Sequence, residues 1–295
     1  MRPRYLPRQL VLANAAAFYR VAFDAHVPFG VQRRLLETAA RSQPLPSGTV
    51  LRRIVLGGRP TERITVGATV RPRTVLYLHG GGYTTCSPAT HRSLTAFLAR
   101  EVGAEVYVPA YRLAPEHPYP AAVDDAVAAY RDLGRPAAVV GDSAGGGLAV
   151  ATALRLMSQG LRPPALALLS PWTDPDDDAM TRRRDVVVNV PQGRRSAAAY
   201  RGNADPHDPG YAPMYADLSG LPPTLVHLVP GELLYEQVLR FVDRLRAAGI
   251  DVTLRELPGL WHSAHTQAGI VREARAAVAD VGAFLSAHLR AAGAA

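Results

Sequence analysis

The stretch Val139-Val140-Gly141-Asp142-Ser143-Ala144-Gly145-Gly146-Gly147 constrains this chain more than any other. The apolar run Ala137 to Val140 reads as a short buried strand, and Leu148 to Leu154 reads as a helix. Gly-x-Ser-x-Gly between a strand and a helix is the pattern that sets a serine on a sharp, strained turn, its hydroxyl clear of the sheet. The spacing has a steric origin. Gly141 and Gly145, two residues to either side of Ser143, carry no Cβ to collide with the folded-back chain. The following helix aims its first amides at the turn, so the Ala144 N–H can help stabilise an oxyanion. Taken alone, the same residues also fit an ordinary glycine-rich turn.

The strand-like run Thr74-Val75-Leu76-Tyr77-Leu78 is nearly all apolar, as in strands buried on both faces. It delivers His79-Gly80-Gly81-Gly82-Tyr83. Three consecutive glycines cost conformational entropy. They fit either a flexible turn or an exposed backbone loop whose amides converge on negative charge. A His-Gly-Gly-Gly loop ahead of Gly-x-Ser-x-Gly is far more specific than either motif alone, and it favours the strained serine turn for the one and the exposed amide loop for the other.

The rest of the chain alternates. Strands are expected at 49–57 and 62–70, joined antiparallel through Gly57-Gly58-Arg59-Pro60. A helix at 90–102 and a strand at 105–109 follow, then the proline-stiffened loop Tyr111 to Pro120. A helix at 121–133 carries Asp124 and Asp125 in its first turns, where the dipole favours them. Then come strand 137–140, helix 144–158, strands 165–169 and 224–228, helix 233–248, strand 252–257 and helix 268–290. This order predicts an α/β fold: a mainly parallel central sheet with helices on both faces. Residues 1–46 read as one or two helices lying over the domain. Residues 171–223 break the rhythm and read as an insertion above the C-terminal edge of the sheet, where open α/β sheets bind ligands. Its run Asp176-Asp177-Asp178 lacks the spaced oxygen ligands of a calcium loop and reads as a solvated loop.

All 33 basic residues are arginine, giving a net charge of +8. They are scattered, with short clusters such as Arg182-Arg183-Arg184, and no basic, aromatic-interleaved repeat accompanies them. A solvated surface fits this pattern and a nucleic-acid partner does not. One cysteine, Cys86, excludes an intrachain disulfide. It reads as a small buried hydrophobe, and a cytoplasmic location is expected. No apolar run reaches the roughly 18 residues of a membrane span. Basic Met1 to Arg8 followed by apolar Gln9 to Tyr19 faintly imitates a signal peptide. However, Arg20 and Asp24 follow at once, and Val11, Ala15, Phe18 and Ala22 fall at helical spacing, so an amphipathic helix is expected.

Three stretches together resemble the bacterial hormone-sensitive-lipase family of α/β-hydrolases. They are His79-Gly80-Gly81-Gly82, Tyr111-Arg112-Leu113-Ala114-Pro115-Glu116-His117-Pro118-Tyr119-Pro120-Ala121-Ala122 and Gly141-Asp142-Ser143-Ala144-Gly145-Gly146. The segments Ala216 to Pro223 and Pro258-Gly259-Leu260-Trp261-His262 are similar too. The resemblance runs from about Val75 to Ala287. It implies an α/β-hydrolase fold with a helical cap: cap helices in 1–46 and a catalytic domain in 47–295, with a cap insertion at about 172–210. It implies a serine carboxylesterase for short- to medium-chain acyl esters that needs no cofactor and no metal, and that forms homodimers in some members.

Ser143 is then the nucleophile and His262 the base. His265, three residues on, is the nearest competitor. The amides of Gly81, Gly82 and Ala144 form the oxyanion hole. His79 braces its glycine loop, and Asp142 fastens the serine turn to its neighbours. The acid is where the sequence departs from the family, which places an aspartate after the seventh strand. Here the strand leads into Val229-Pro230-Gly231-Glu232-Leu233-Leu234. Aligning the family's leucine with Leu234 puts Glu232 in the acid's place, and a glutamate can accept the histidine's proton bond. Aligning it with Leu233 puts Gly231 there and leaves no acid. Two further readings share the fold: a lactonase, amidase or acyltransferase that tailors a bulky natural product, and a ligand-binding homologue without activity.

Overall fold

The computed structural model describes residues 5–67, 73–179 and 184–292. Eight strands form one sheet: β1 (Thr49–Leu56), β2 (Arg59–Val66), β3 (Thr74–Leu78), β4 (Glu105–Pro109), β5 (Ala138–Asp142), β6 (Leu166–Leu169), β7 (Thr224–Leu228) and β8 (Val252–Glu256). Their order is β1-β2-β4-β3-β5-β6-β7-β8. Only β2 runs against its neighbours; β4, β3 and β5 to β8 are parallel. This is the mainly parallel α/β sheet predicted. The hairpin at its edge is tighter than predicted. Gly57 and Gly58 alone make the turn, both at positive φ, and Arg59 and Pro60 already pair with Leu56 and Val55. Two left-handed residues match the twist of the flanking strands, and proline is tolerated at a strand's start. Beyond Val66, residues 68–70 of the expected strand lie outside the described residues, as do residues 1–4 of the basic N-terminus and Arg182 and Arg183.

Successive residues of each central strand face opposite helix layers. Leu76, Val139, Leu168 and Val226 pack toward α4 (Ala121–Asp132), α5 (Ala144–Met157) and α7 (Tyr235–Ala247). Val75, Tyr77, Val140, Ala167 and Leu225 pack toward α3 (Arg92–Val102) and α8 (Arg272–Ala292). That two-sided burial explains why these strands read as continuous apolar runs. Helix α8 starts four residues later than the 268 expected, because a short 3-10 turn, Ala264–Gln267, comes first.

Over the C-terminal edge lie α1 (Arg8–Ala22), α2 (Phe29–Ala40) and α6 (Val190–Arg201). Asn189 caps α6 by accepting from Gln192 N at 3.0 Å, while its own amide donates to Phe23 O at 2.9 Å. Gln32 and Gln192 exchange side-chain hydrogen bonds, and Arg195 donates to Val27 O with its guanidinium 3.9 Å from the Phe29 ring centre. Helix α6 is thereby tied to α1 and α2 across 160 residues of chain. The aspartate run is less solvated than the sequence suggests. Asp176 binds Arg201 and Tyr211, and Asp177 accepts from Gln237 and Arg240; Asp178 alone is exposed. Partners distant in sequence reach this loop, which local composition does not reveal. No described helix is long and apolar enough to cross a membrane.

Candidate active site

The sheet reverses its order at β3, whose neighbours are β4 and β5. At such a point the loops leaving adjacent strands diverge and open a crevice at their C-terminal ends. The register Leu78↔Gly141 sends the His79–Gly82 loop and the Ser143 turn out side by side. Ser143 itself has φ 53° and ψ −123°, a strained conformation for a residue with a side chain. The glycines beside it are steric necessities. A Cβ on Gly141 would fall 2.0 Å from Gly145 O, and one on Gly145 would fall 2.0 Å from Leu78 O. The turn is held by Ser143 N donating to Leu169 O at 2.9 Å and by Trp172 N donating to Ser143 O at 2.8 Å.

Glu232 lies in the connection between β7 and α7, and His262 follows β8. Glu232 Oε2 is 2.9 Å from His262 Nδ1, and both side chains are almost wholly buried. Of the two residues the alternative alignments put in the acid's place, Glu232 is thus in hydrogen-bond contact with His262 and Gly231 has no side chain to make one. Glu232 Oε1 also accepts from Val229 N at 3.3 Å, which closes the turn that presents it. Burial on its own would push the His262 imidazolium pKa down. The hydrogen bond and charge of Glu232, with Asp185 and Asp142 behind it, outweigh burial and raise it. With Nδ1 committed to Glu232, Nε2 is the nitrogen left for a reacting proton. Ser143 and His262 line the same cavity, and Ser143 Oγ makes no hydrogen bond among the described residues. Such contacts commonly tighten only when substrate is bound.

The amides of Gly81, Gly82 and Ala144 donate to no protein acceptor among the described residues. Gly81 has φ 114°, and its carbonyl is turned away to accept from Thr85 N and Thr85 Oγ1 at 2.9 and 2.8 Å. His79 stacks on Tyr111, ring centres 4.3 Å apart, and Tyr111 Oη donates to His79 O at 2.6 Å. The Tyr111 loop therefore buttresses the glycine loop from behind. Burial and the nearby His91 keep the His79 pKa down at about 3, so the ring stays neutral.

Asp142 is the knot of the site. Its carboxylate accepts from Tyr77 Oη (2.8 Å), Gly80 N (2.9 Å) and Ser263 Oγ (3.1 Å), and His91 Nε2 stands 3.2 Å away. Burial opposes its charge, yet His91 and these donors hold it well below the usual carboxylate range. His91 and Ser263 were not singled out in the sequence, and no local signal marks them. Asp185 was missed too. It accepts from the amides of Leu233, Val187 and Val188 and so fixes the chain beside Glu232. His265 is not in the cavity wall; it faces away, with its Nε2 3.0 Å from His227 Nδ1. Cys86 corrects an expectation: it is not core but lines the cavity, at φ 65°. Its neighbours in the tight loop after the glycines swing it there.

The cavity measures about 450 Å³ and is mainly apolar. Its floor carries Ser143, His262 and the two glycines, and α1 and α6 supply its upper walls. No cluster of three or more potential metal ligands occurs among the described residues.

A sequence family described as an alpha/beta hydrolase fold matches residues 75–266. The chain is 39% identical to an acetyl-hydrolase of Streptomyces hygroscopicus over 78% of this chain and 84% of that one. It is 31% identical to an esterase of Acinetobacter venetianus, covering 85% and 87% respectively. Among solved structures it is similar to an esterase of the bacterial hormone-sensitive lipase family, with a TM-score of 0.88 and 37% identity over 94% of this chain and 98% of that one.

Proposed function

Since the chain belongs to the α/β-hydrolases of the bacterial hormone-sensitive-lipase family, we propose that it is an esterase acting through a Ser143–His262–Glu232 triad and an acyl-enzyme. The observation that carries this reading is convergence on one cavity. A strained serine, a histidine braced by a buried carboxylate and the two glycines with uncommitted amides meet there, with the uncommitted Ala144 amide next to the serine in the chain.

Ser143 Oγ attacks the ester carbonyl carbon while His262 Nε2 takes its proton. The carbonyl oxygen becomes an oxyanion held by the amides of Gly81, Gly82 and Ala144; one such donor is worth about 10²–10³ in turnover. The C–O bond to the alcohol breaks, and the imidazolium returns the proton to that leaving oxygen. Water repeats the sequence and frees the acid and Ser143. Glu232 accepts the Nδ1 proton bond throughout and stabilises the imidazolium without taking its proton. A cavity of about 450 Å³ lined mainly by apolar side chains suits short to medium acyl chains, or a short acyl group on a bulky alcohol.

The test is hydrolysis of p-nitrophenyl acetate, butyrate, octanoate and laurate, with mass spectrometry after a serine-directed phosphonate. Wild type is expected to turn over the shorter esters and to gain one phosphonyl group on Ser143, and Ser143→Ala to do neither. Wild-type rates in Ser143→Ala would end the reading. Competing alcohols or amines that divert the acyl group would turn it into acyl transfer.

A further inference from the structure

Six of the ten most exposed large apolar side chains among the described residues lie in one short N-terminal segment: Leu6, Leu10, Val21, Val31, Leu35 and Leu45. They are not scattered. In α1 the outward positions Leu10, Asn14, Ala17 and Val21 fall four, three and four apart, which is one stripe along a helix. In α2, Val31, Leu35 and Ala39 form a second stripe at intervals of four. Leu10, Asn14 and Ala39 are both outward-facing and part of the cavity wall, so the two stripes meet at the cavity's mouth. Val21 is 60% exposed and Leu35 37%.

The charge around these stripes is one-sided. Residues 5–46 hold five arginines against Asp24 and Glu37. Arg8 and Arg33 pair with Glu273 and Glu116, whereas Arg20, Arg34 and Arg41 are exposed and form no ion pair among the described residues. We propose that this face docks on an anionic lipid surface, with the apolar stripes entering the headgroup boundary and Arg20, Arg34 and Arg41 meeting lipid phosphates. Helices with an apolar stripe flanked by arginines bind such surfaces in the interface plane, and each basic residue near the surface adds roughly fivefold in binding. Docking would set the cavity mouth against the lipid, so an ester could pass from the membrane to Ser143 without crossing water. The docking stands on the surface itself; only the nature of the substrate rests on the esterase reading.

The experiment is co-sedimentation of the full chain with vesicles of phosphatidylcholine, with and without about one-third phosphatidylglycerol. Wild type is expected to sediment with the anionic vesicles at low salt, to stay soluble with neutral ones, and to be released by salt on the order of 1 M, where screening is nearly complete. Val21→Glu/Leu35→Glu is expected to bind at least about tenfold more weakly. Neither residue touches the cavity, so this variant should hydrolyse dissolved p-nitrophenyl butyrate at the wild-type rate. Arg34→Gln/Arg41→Gln should lose a similar factor on anionic vesicles. Wild type left in the supernatant with anionic vesicles at low salt overturns the proposal. So does a wild-type dimer that Val21→Glu/Leu35→Glu converts to monomer, since the stripes would then cover each other. An enzyme inactive on all esters that still sediments would separate the docking from the esterase reading.

Discussion

Ser263, one residue beyond His262, donates its hydroxyl to Asp142, one residue before Ser143, across 3.1 Å. The two loops that carry the proposed base and nucleophile are thus clamped to each other by a pair of side chains in the wall of the cavity they share. The same carboxylate holds the Gly80 amide and so the oxyanion loop. Asp142→Ala is expected to loosen all three loops and to leave buried donors unpaired. We expect a stability loss of about 3–5 kcal/mol and a clear fall in turnover. Ser263→Ala removes one of several donors and should cost about 1 kcal/mol. In the Asp142→Ala background the Ser263 change should add almost nothing. Denaturant unfolding and kcat over this double-mutant cycle measure the coupling; additive effects would show that the clamp is not a unit.

Asp142 also predicts the acid limb of stability. Its folded-state pKa lies below the ordinary value, since His91, Tyr77 and the Gly80 amide outweigh burial. A depressed carboxylate contributes stability that is complete above its unfolded pKa of about 3.9 and fades as pH falls toward the folded value. The stability gap between wild type and Asp142→Asn should therefore be constant from pH 7 to pH 5. It should narrow by roughly 1–2 kcal/mol at about pH 2.5. Chemical denaturation of both proteins across that range reads it. A gap that widens on acidification would mean the carboxylate is not held charged by these partners.

The pH dependence of catalysis has the opposite origin. His262 must be neutral to accept the Ser143 proton, and Glu232 raises its pKa against the effect of burial. The acid limb of kcat/KM should therefore lie above the ordinary histidine value of about 6.5. Glu232→Gln removes the charge, so the limb should move to lower pH while kcat falls by about 10²–10⁴. Both changes appear in one set of pH–rate profiles. A limb that stays in place in Glu232→Gln would locate the perturbing charge elsewhere, with Asp185 the next residue to test.

The legible parts of this protein are those whose geometry is local. Gly141 and Gly145 announce a turn that no other residue could make, because any Cβ there would strike Leu78 O or Gly145 O. The apolar runs of β3 and β5 announce strands covered on both faces. The acid was open between Glu232 and no acid at all, since one residue of register decides it and only the fold brings residue 232 to residue 262. His91, Ser263 and Asp185 were illegible for a related reason. Each is an ordinary polar residue in its own segment and acquires a role only from a partner 48 to 121 residues away. The Gly57-Gly58 hairpin was legible in kind but read two residues too long. A proline at the start of β2 looks like part of a turn until Pro60 is seen paired with Val55.

Cys86 carries the last prediction, because its surroundings and its location pull in different directions. It lines the cavity shared by Ser143 and His262, where a small electrophile could reach it. Burial, with the Asp142 charge behind it, pushes the thiol pKa up to about 12. The thiolate is the reactive form, so at neutral pH almost none is present. Iodoacetamide should label native Cys86 at least about 100-fold more slowly than free cysteine at pH 8, where an ordinary thiol is already partly ionised. The rate should climb steadily through pH 10 without levelling off, whereas the unfolded chain should label fast. Once alkylated, the protein should lose ester hydrolysis, because the adduct would fill part of the cavity next to Gly81. Labelling that levels off near pH 9 would mean that Cys86 meets bulk water, and rapid labelling that spares activity would move it out of the cavity wall.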